Sequence, residues 1–209
     1  MALNCTTPKY EKLYARWLAN PGDLLRRGAL RQGERVLDLC GGTGILAREA
    51  LRLGAGSATV LDLNPRCTDD GVTTVRGHAE DVGALLTLAG LTYDLVACRQ
   101  AVGYLDLARV ARGVQSVLSP RGRFVFNNFK RPKWSAKVYR FGGRSYLEAS
   151  AYWGNRVWHL QGSPMLGADI TRFRWWRDEE VIEALEPHFD VEVEETPKTL
   201  YYVCVPRCL

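Results

Sequence analysis

Asp38 and the glycines that follow it, Gly41, Gly42 and Gly44, are where this sequence concentrates its chemistry. Val36, Leu37 and Leu39 make the short apolar run of a buried strand, and the glycines end it in a tight turn that no side chain obstructs. Ile45 to Leu53 then has helical spacing, with Leu46, Ala50, Leu51 and Leu53 on one broad face. Strand, glycine turn and helix N-terminus together present backbone N–H groups to a polar ligand. The spacing therefore predicts a nucleotide-cofactor cradle. Asp62 closes a second predicted strand, Ala55 to Leu63, about 20 residues beyond the turn. There a carboxylate can accept hydrogen bonds from both ribose hydroxyls, and Leu63 is counted with it as cofactor-binding.

Gly42-x-Gly44-x-x-Ala47 also fits the dinucleotide fingerprint, with Asp62 as its ribose acid. Asp38 tilts the reading away from NAD. Beside a pyrophosphate a carboxylate repels, whereas a ligand carrying a cationic amino group gains from it.

Asp38-Leu39-Cys40-Gly41-Gly42-Thr43-Gly44 resembles the first motif of the class I S-adenosylmethionine (SAM) dependent methyltransferases, acid-x-Gly-x-Gly-x-Gly. Cys40 stands where the first glycine usually does, and a thiol there asks that the backbone stay in a region open to L-residues. Ser116 to Phe126 (SVLSPRGRFVF) is similar to the helix-turn-strand of the same enzymes. The resemblance covers residues 34 to about 126 closely and the flanks loosely. It implies a Rossmann-like α/β fold: a doubly wound, mostly parallel seven-stranded sheet with SAM as cofactor.

The resemblance also implies roles. Lys9 to Leu30 reads as helix in two pieces broken at Asn20-Pro21-Gly22. In the small-molecule members such a segment forms a lid, which makes Tyr14 a candidate over the cofactor and Tyr10 over the acceptor; a core-packing stripe explains their spacing equally well. Ala79 with Glu80 or Asp81, after the third strand Val72 to Arg76, matches the adenine-contacting position. An acid pair opening a helix would also be explained by the helix dipole. Arg99, Gln100 and Tyr104 follow the fourth strand at the switch point between strands one and four, where open α/β sheets bind ligands. Asn127 and Lys130, at the end of the fifth strand, face the same side. Base N-methylating members carry Asn/Asp-Pro-Pro-aromatic after strand four, and this chain does not. His78 and Tyr104 are candidate general bases, with His159 and Tyr146 as further choices from the insert. None sits in a diagnostic motif.

Only Asn64 to Gly71 separates the second and third strands, too little for the usual crossover helix. The helix is expected to be lost or cut to one turn, leaving part of the adenosine wall in question. Between residues 136 and 177 the pattern changes to hairpins: Val138 to Phe141, Ser145 to Tyr152, Val157 to Leu160 and Ile170 to Trp176. This antiparallel β insert before the last helix resembles that of methyltransferases acting on sugar amines and other small metabolites. Its aromatic residues, Tyr146 and Trp158 among them, are expected to divide between core, acceptor pocket and a homodimer interface.

The chain of 209 residues, 46% hydrophobic and 24% charged, suits a single domain. That domain divides into a helical lid (1–31), a cofactor-binding core (34–129) and a capping insert (136–177). No apolar run reaches the ~18 residues of a membrane span, and no basic-then-apolar leader pattern opens the chain, so a cytoplasmic protein is expected. A net charge of +5 allows a nucleic-acid partner without calling for one. The six cysteines form no CxxC pair and the three histidines are scattered, so no metal site is expected. The leading expectation is methyl transfer from SAM to a small-molecule acceptor at N, O or C. The alternatives are an RNA or protein acceptor, or a SAM-binding protein with other chemistry.

Overall fold

The structure is a computed structural model. It describes residues 20–129, 137–141, 144–151, 156–158, 173–174, 176–197 and 199–207, with the strands between 137 and 174 described by backbone path and register. Tyr10, Tyr14, Lys130 and His159 lie outside the described residues, as does the first of the two expected N-terminal helical pieces.

The second piece is α1 (Gly22–Arg27). It starts where the sequence breaks: Asn20 sits at φ 56 and Pro21 is the N-cap. Seven strands then build one sheet: β1 (Arg35–Leu39), β2 (Ser57–Asp62), β3 (Val72–Arg76), β4 (Tyr93–Arg99), β5 (Leu118–Phe129) and the closing pair β10 (Phe189–Glu195) and β11 (Thr199–Pro206). The order is β10-β11-β5-β4-β1-β2-β3. Neighbours are parallel except β11, which runs antiparallel to both β5 and β10. Chain order reverses between β1 and β4, which makes the cleft beyond their C-terminal ends the topological switch point. The expected doubly wound, mostly parallel seven-stranded sheet is what the chain forms.

Helices cover both faces, so the central strands are apolar on both sides. In β1, Val36, Leu37 and Leu39 are fully buried. On one face α3 (Val82–Thr87), α4 (Leu107–Val117) and α5 (Asp178–Leu185) pack on Leu37, Leu39, Val96, Phe124 and Phe126. On the other, α1 and α2 (Ile45–Arg52) pack on Val36, Leu95, Ala97 and Val125. Arg123 ties α1 to the sheet. Its buried guanidinium donates to both oxygens of Glu34 at 2.8 Å, to the carbonyl of Asp94 at 3.0 Å, and to the carbonyls of Gly28 and Ala29.

Two connections depart from regular geometry. No helix joins β2 to β3; instead this segment docks back on the glycine turn, with the Arg66 N–H donating to the Gly42 carbonyl at 2.9 Å. The expected turn at Ser119 to Gly122 is absorbed into β5 as an irregularity, because the pairing with β4 jumps from Tyr93↔Leu118 to Leu95↔Arg123. The insert forms its own antiparallel sheet of β6 (Lys137–Phe141), β7 (Arg144–Ala151), β8 (Arg156–Trp158) and β9 (Phe173–Arg174), in that order.

Candidate active site

Asp38 lies one residue from the end of β1 and is 2% exposed. Alternation along β1 sends it to the α2 side, with Val36. There its carboxylate accepts the Ala47 N–H at 3.1 Å. The N-cap of α2 is Gly44, which has no side chain to bond the first-turn amides, and Asp38 supplies that acceptor from the strand. Burial pushes Asp38 up to about 7; the Ala47 N–H opposes this, Asp62 adds to it, and Arg99 and Arg48 oppose it more weakly.

The glycine turn wraps this acid with no room to spare. A Cβ on Gly41 would stand 2.5 Å from the Asp38 carboxyl, and one on Gly44 would stand 2.6 Å from the Cys67 sulfur. Gly44 also sits at φ 74 and Gly42 at φ 52, a region costly to L-residues. Asp62, at the end of β2, faces the turn from the other side. One oxygen accepts the Gly42 N–H at 3.0 Å and the other accepts the Asn64 N–H at 2.8 Å. Each oxygen keeps a further lone pair for a ligand hydroxyl. Leu63, next to it, is 43% exposed.

Cys40 corrects the sequence expectation. Its backbone leaves the region favoured by L-residues and sits at φ 61, the conformation the family's glycine would adopt freely. Its N–H, donating to Leu61 O at 2.7 Å, fixes it there. A hydrogen bond with the Cys98 thiol, together with burial, holds the Cys40 thiol well above its ordinary pKa, so it is a neutral packing group. Across the switch point Gln100, just beyond β4, is left-handed too, at φ 57. Asn127, 4% exposed, accepts the Gln100 N–H on its side-chain oxygen at 3.0 Å. Two non-glycine residues in this conformation at the ends of adjacent strands mark the cleft independently of the glycines, since such strain clusters at functional sites.

The remaining candidates divide. Arg99 pairs in register with Asn127 at the β4–β5 side of the cleft. Tyr104 is 40% exposed in the 3-10 turn Val102–Tyr104 that follows β4. His78 sits elsewhere: it follows β3, and β1 and β2 lie between that strand and β4. Its Nδ1 accepts the Glu80 N–H at 3.3 Å as the cap of the 3-10 turn Ala79–Asp81. Ala79 is buried in that turn. Glu80 gives its two oxygens to the Asp106 N–H at 2.8 Å and to Arg109 at 3.2 Å, while Asp81 accepts from Arg109 at 2.8 Å. Tyr146 on β7 and Trp158 on β8 are not partners in register. Tyr146 shares a face with Ser150, which pairs with Val157, so Trp158 falls on the opposite face.

Sequence reasoning passed over the anchor of the insert. Trp176, 8% exposed, donates its indole N–H to the Val102 carbonyl at 3.0 Å. The buried Asn128 donates its side-chain amide to the Trp176 carbonyl at 3.5 Å. The only signal was a polar Asn-Asn pair inside the otherwise apolar run Phe124 to Phe129.

The profile of a family described as "Methyltransferase domain" matches residues 10–188. Ubiquinone/menaquinone biosynthesis C-methyltransferase UbiE of Rubrivivax gelatinosus is 33% identical over 116 residues, 53% of this chain and 45% of that protein. The chain therefore spans about half the length of the curated relatives it matches, or less. Among solved structures, Streptomyces venezuelae DesVI superposes with a TM-score of 0.68 at 20% identity, covering 95% of this chain and 97% of that one. The S-adenosylmethionine dependent methyltransferase from Mesorhizobium loti gives 0.62 at 22% identity, covering 90% of this chain and 98% of that one. These likenesses establish the fold.

Proposed function

The chain belongs to the methyltransferase-domain family, and we propose that it transfers a methyl group from SAM to a small-molecule metabolite. One observation carries this reading: a buried acid, Asp38, seated under a turn that only glycine can form, with a second acid, Asp62, bonded to that turn. The two carboxylates suit a ligand that pairs a ribose with a cationic amino group and has no phosphate.

Bound there, SAM supplies a methyl carbon already activated by its sulfonium, so the protein's work is proximity, orientation and exclusion of water. In this reading Asp62 takes the ribose hydroxyls and Ala79 and Leu63 flank the adenine. Asp38 and the amides of the glycine turn hold the amino-acid end. Glu80 serves by fixing the Ala79–Asp81 turn to α4 through Arg109, and His78 by capping it. Arg99, Gln100, Tyr104 and Asn127 border the acceptor side. Tyr104 is the group there that could take a proton from an ammonium or hydroxyl acceptor. The name of one relative, a ubiquinone/menaquinone biosynthesis C-methyltransferase, supports a small-molecule acceptor, and that of another, a ribosomal protein L11 methyltransferase, keeps a protein acceptor as the second reading.

Calorimetric titration with SAM, S-adenosylhomocysteine and NAD, alongside Asp62→Ala, tests this. Either sulfur ligand should bind, and the variant should lose about 1–3 kcal/mol, the usual cost of removing a charged hydrogen-bond partner. Binding of NAD with neither sulfur ligand would sink the assignment. Small acceptors are then screened with SAM.

A further inference from the structure

Charge is distributed unevenly along this chain. Residues 130–177 hold ten of its 28 lysines and arginines but only two of its 23 acids, Glu148 and Asp169. The rest of the chain is therefore net negative. A phosphate-free cofactor held by Asp38 and Asp62 has no use for this positive charge, which leaves the acceptor to explain it.

Register shows where two of these charges meet. In the β6–β9 sheet Arg156 of β8 stands directly opposite Arg174 of β9. Like charges opposite each other weaken a strand pair unless something negative joins them. On β7, Ala151 and Ala149 stand opposite Arg156 and Trp158, so small residues adjoin the arginines and the indole position on the same face. The other face takes Tyr139, Phe141, Tyr146, Val157 and Phe173 by alternation, together with Ser150, Arg144 and Lys137, and there Lys137 has an acid, Glu148, directly opposite it. Arg174 is also two residues from Trp176, within about 7 Å of chain. Trp176 is the anchor bonded to Val102 and Asn128 at the C-terminal ends of β4 and β5.

We propose that the Arg156–Arg174 pair binds a multiply charged oxyanion on the methyl acceptor, a phosphate ester or diphosphate. The inference rests on the methyltransferase reading and adds the substrate class to it. A single-stranded RNA fits this pair less well, since a base-stacking platform needs several aromatic positions beside the arginines that hold the backbone. Here all but one of the aromatic positions in these four strands fall on the opposite face. Paired guanidiniums suit a compact dianion because each can donate two parallel hydrogen bonds.

The test is calorimetry on the full chain with S-adenosylhomocysteine bound, using inorganic pyrophosphate as probe. Arg156→Gln/Arg174→Gln should weaken pyrophosphate at least about tenfold, as expected for lost charge-assisted bonds. Arg140→Gln, on the same face but about 20 Å away along β7, should change it less than about twofold. S-adenosylhomocysteine affinity should be the same in all three. Without anion the double variant should melt no lower than the parent, since a repulsion is removed, and pyrophosphate should raise the melting temperature of the parent only. Equal pyrophosphate affinity in parent and double variant, with cofactor binding intact, overturns the anion site alone. Tighter binding of a uridine dodecamer that Arg140→Gln also weakens overturns it in favour of a polymeric acceptor. Failure of S-adenosylhomocysteine to bind overturns the methyltransferase reading itself.

Discussion

Asp38 is a buried carboxyl pushed up to about 7, and its proposed partner is an ammonium. An ammonium gains only from the ionised form, so binding must first remove the proton. At pH 6 about a tenth of the protein carries ionised Asp38, and at pH 5 about a hundredth. The apparent affinity for S-adenosylhomocysteine should therefore fall about tenfold for each pH unit below 7 and level off above it. The ligand's α-amino group stays largely protonated through pH 7.5, so the slope belongs to the protein. Methylthioadenosine, which keeps the adenosine and lacks the amino-acid end, separates this effect from titration near the ribose and adenine: its affinity should be flat from pH 5 to 7.5. Asp38→Asn should weaken S-adenosylhomocysteine by about 1.5–3 kcal/mol at pH 7.5, the range for a hydrogen bond to a charged group, and flatten its profile. It should leave methylthioadenosine unchanged. Calorimetry in buffers of matched ionic strength reads all of this. A flat S-adenosylhomocysteine profile in the parent, or an equal slope with methylthioadenosine, would refute the pairing. Stability follows from the same group. Unfolded, Asp38 ionises near 4; folded, it holds its proton to about 7. Its contribution to stability is full below about pH 4 and is lost as pH rises through about 7. Without ligand, Asp38→Asn should melt above the parent at pH 8, and the gap should close toward pH 4.

Three further outcomes are expected. Gly41→Ala drives a methyl group into the Asp38 carboxyl and should weaken S-adenosylhomocysteine by more than about tenfold, about 1.4 kcal/mol, in the same titration. Cys40→Gly should leave denaturant stability within about 1 kcal/mol, because relief of the left-handed backbone offsets lost packing, while Cys40→Val should cost more than about 2 kcal/mol. Arg123→Met strands the Glu34 carboxylate and three backbone carbonyls, and urea unfolding should show a loss of about 3–5 kcal/mol.

The glycine turn and its two acids were legible because each rests on local pattern. A buried parallel strand needs a continuous apolar run, and Val36 to Leu39 has one. The tight turn needs glycine, and Asp38 stands out because an acid in such a run is expensive unless something uses it. The lost crossover helix could be counted from eight residues, Asn64 to Gly71. What could not be read was long-range pairing. Glu80 reads in sequence as an adenine contact or a helix-dipole acid, yet Arg109, 29 residues on, and the Asp106 N–H take both its oxygens. His78 reads as a base until the order β4-β1-β2-β3 puts it at the far edge. The left-handed backbones of Cys40 and Gln100 carry no compositional mark, since neither is glycine. They follow from bonds to Leu61 and Asn127, partners supplied by neighbouring strands.

Those two backbones suggest how the fold holds an open cleft. Each left-handed L-residue costs about 1–2 kcal/mol, an expense that a strand continuing straight on would avoid. The turn is kept because both strands are fastened on either side before they reach it: β1 pairs with β2 and β4 over four residues or more, and β4 with β5 through Arg99↔Asn127. Cys40 and Gln100 then bend the chain away within one residue of the same level, and their N–H groups are taken by β2 and β5, the strands flanking the central pair. The gap thus opens where chain order reverses, with the acids Asp38 and Asp62 on the β1–β2 side. On the β4–β5 side are Arg99, Asn127 and the Trp176 anchor of an arginine-bearing insert. A cationic cofactor and an anionic acceptor would each meet its opposite charge, with the strained backbones between them.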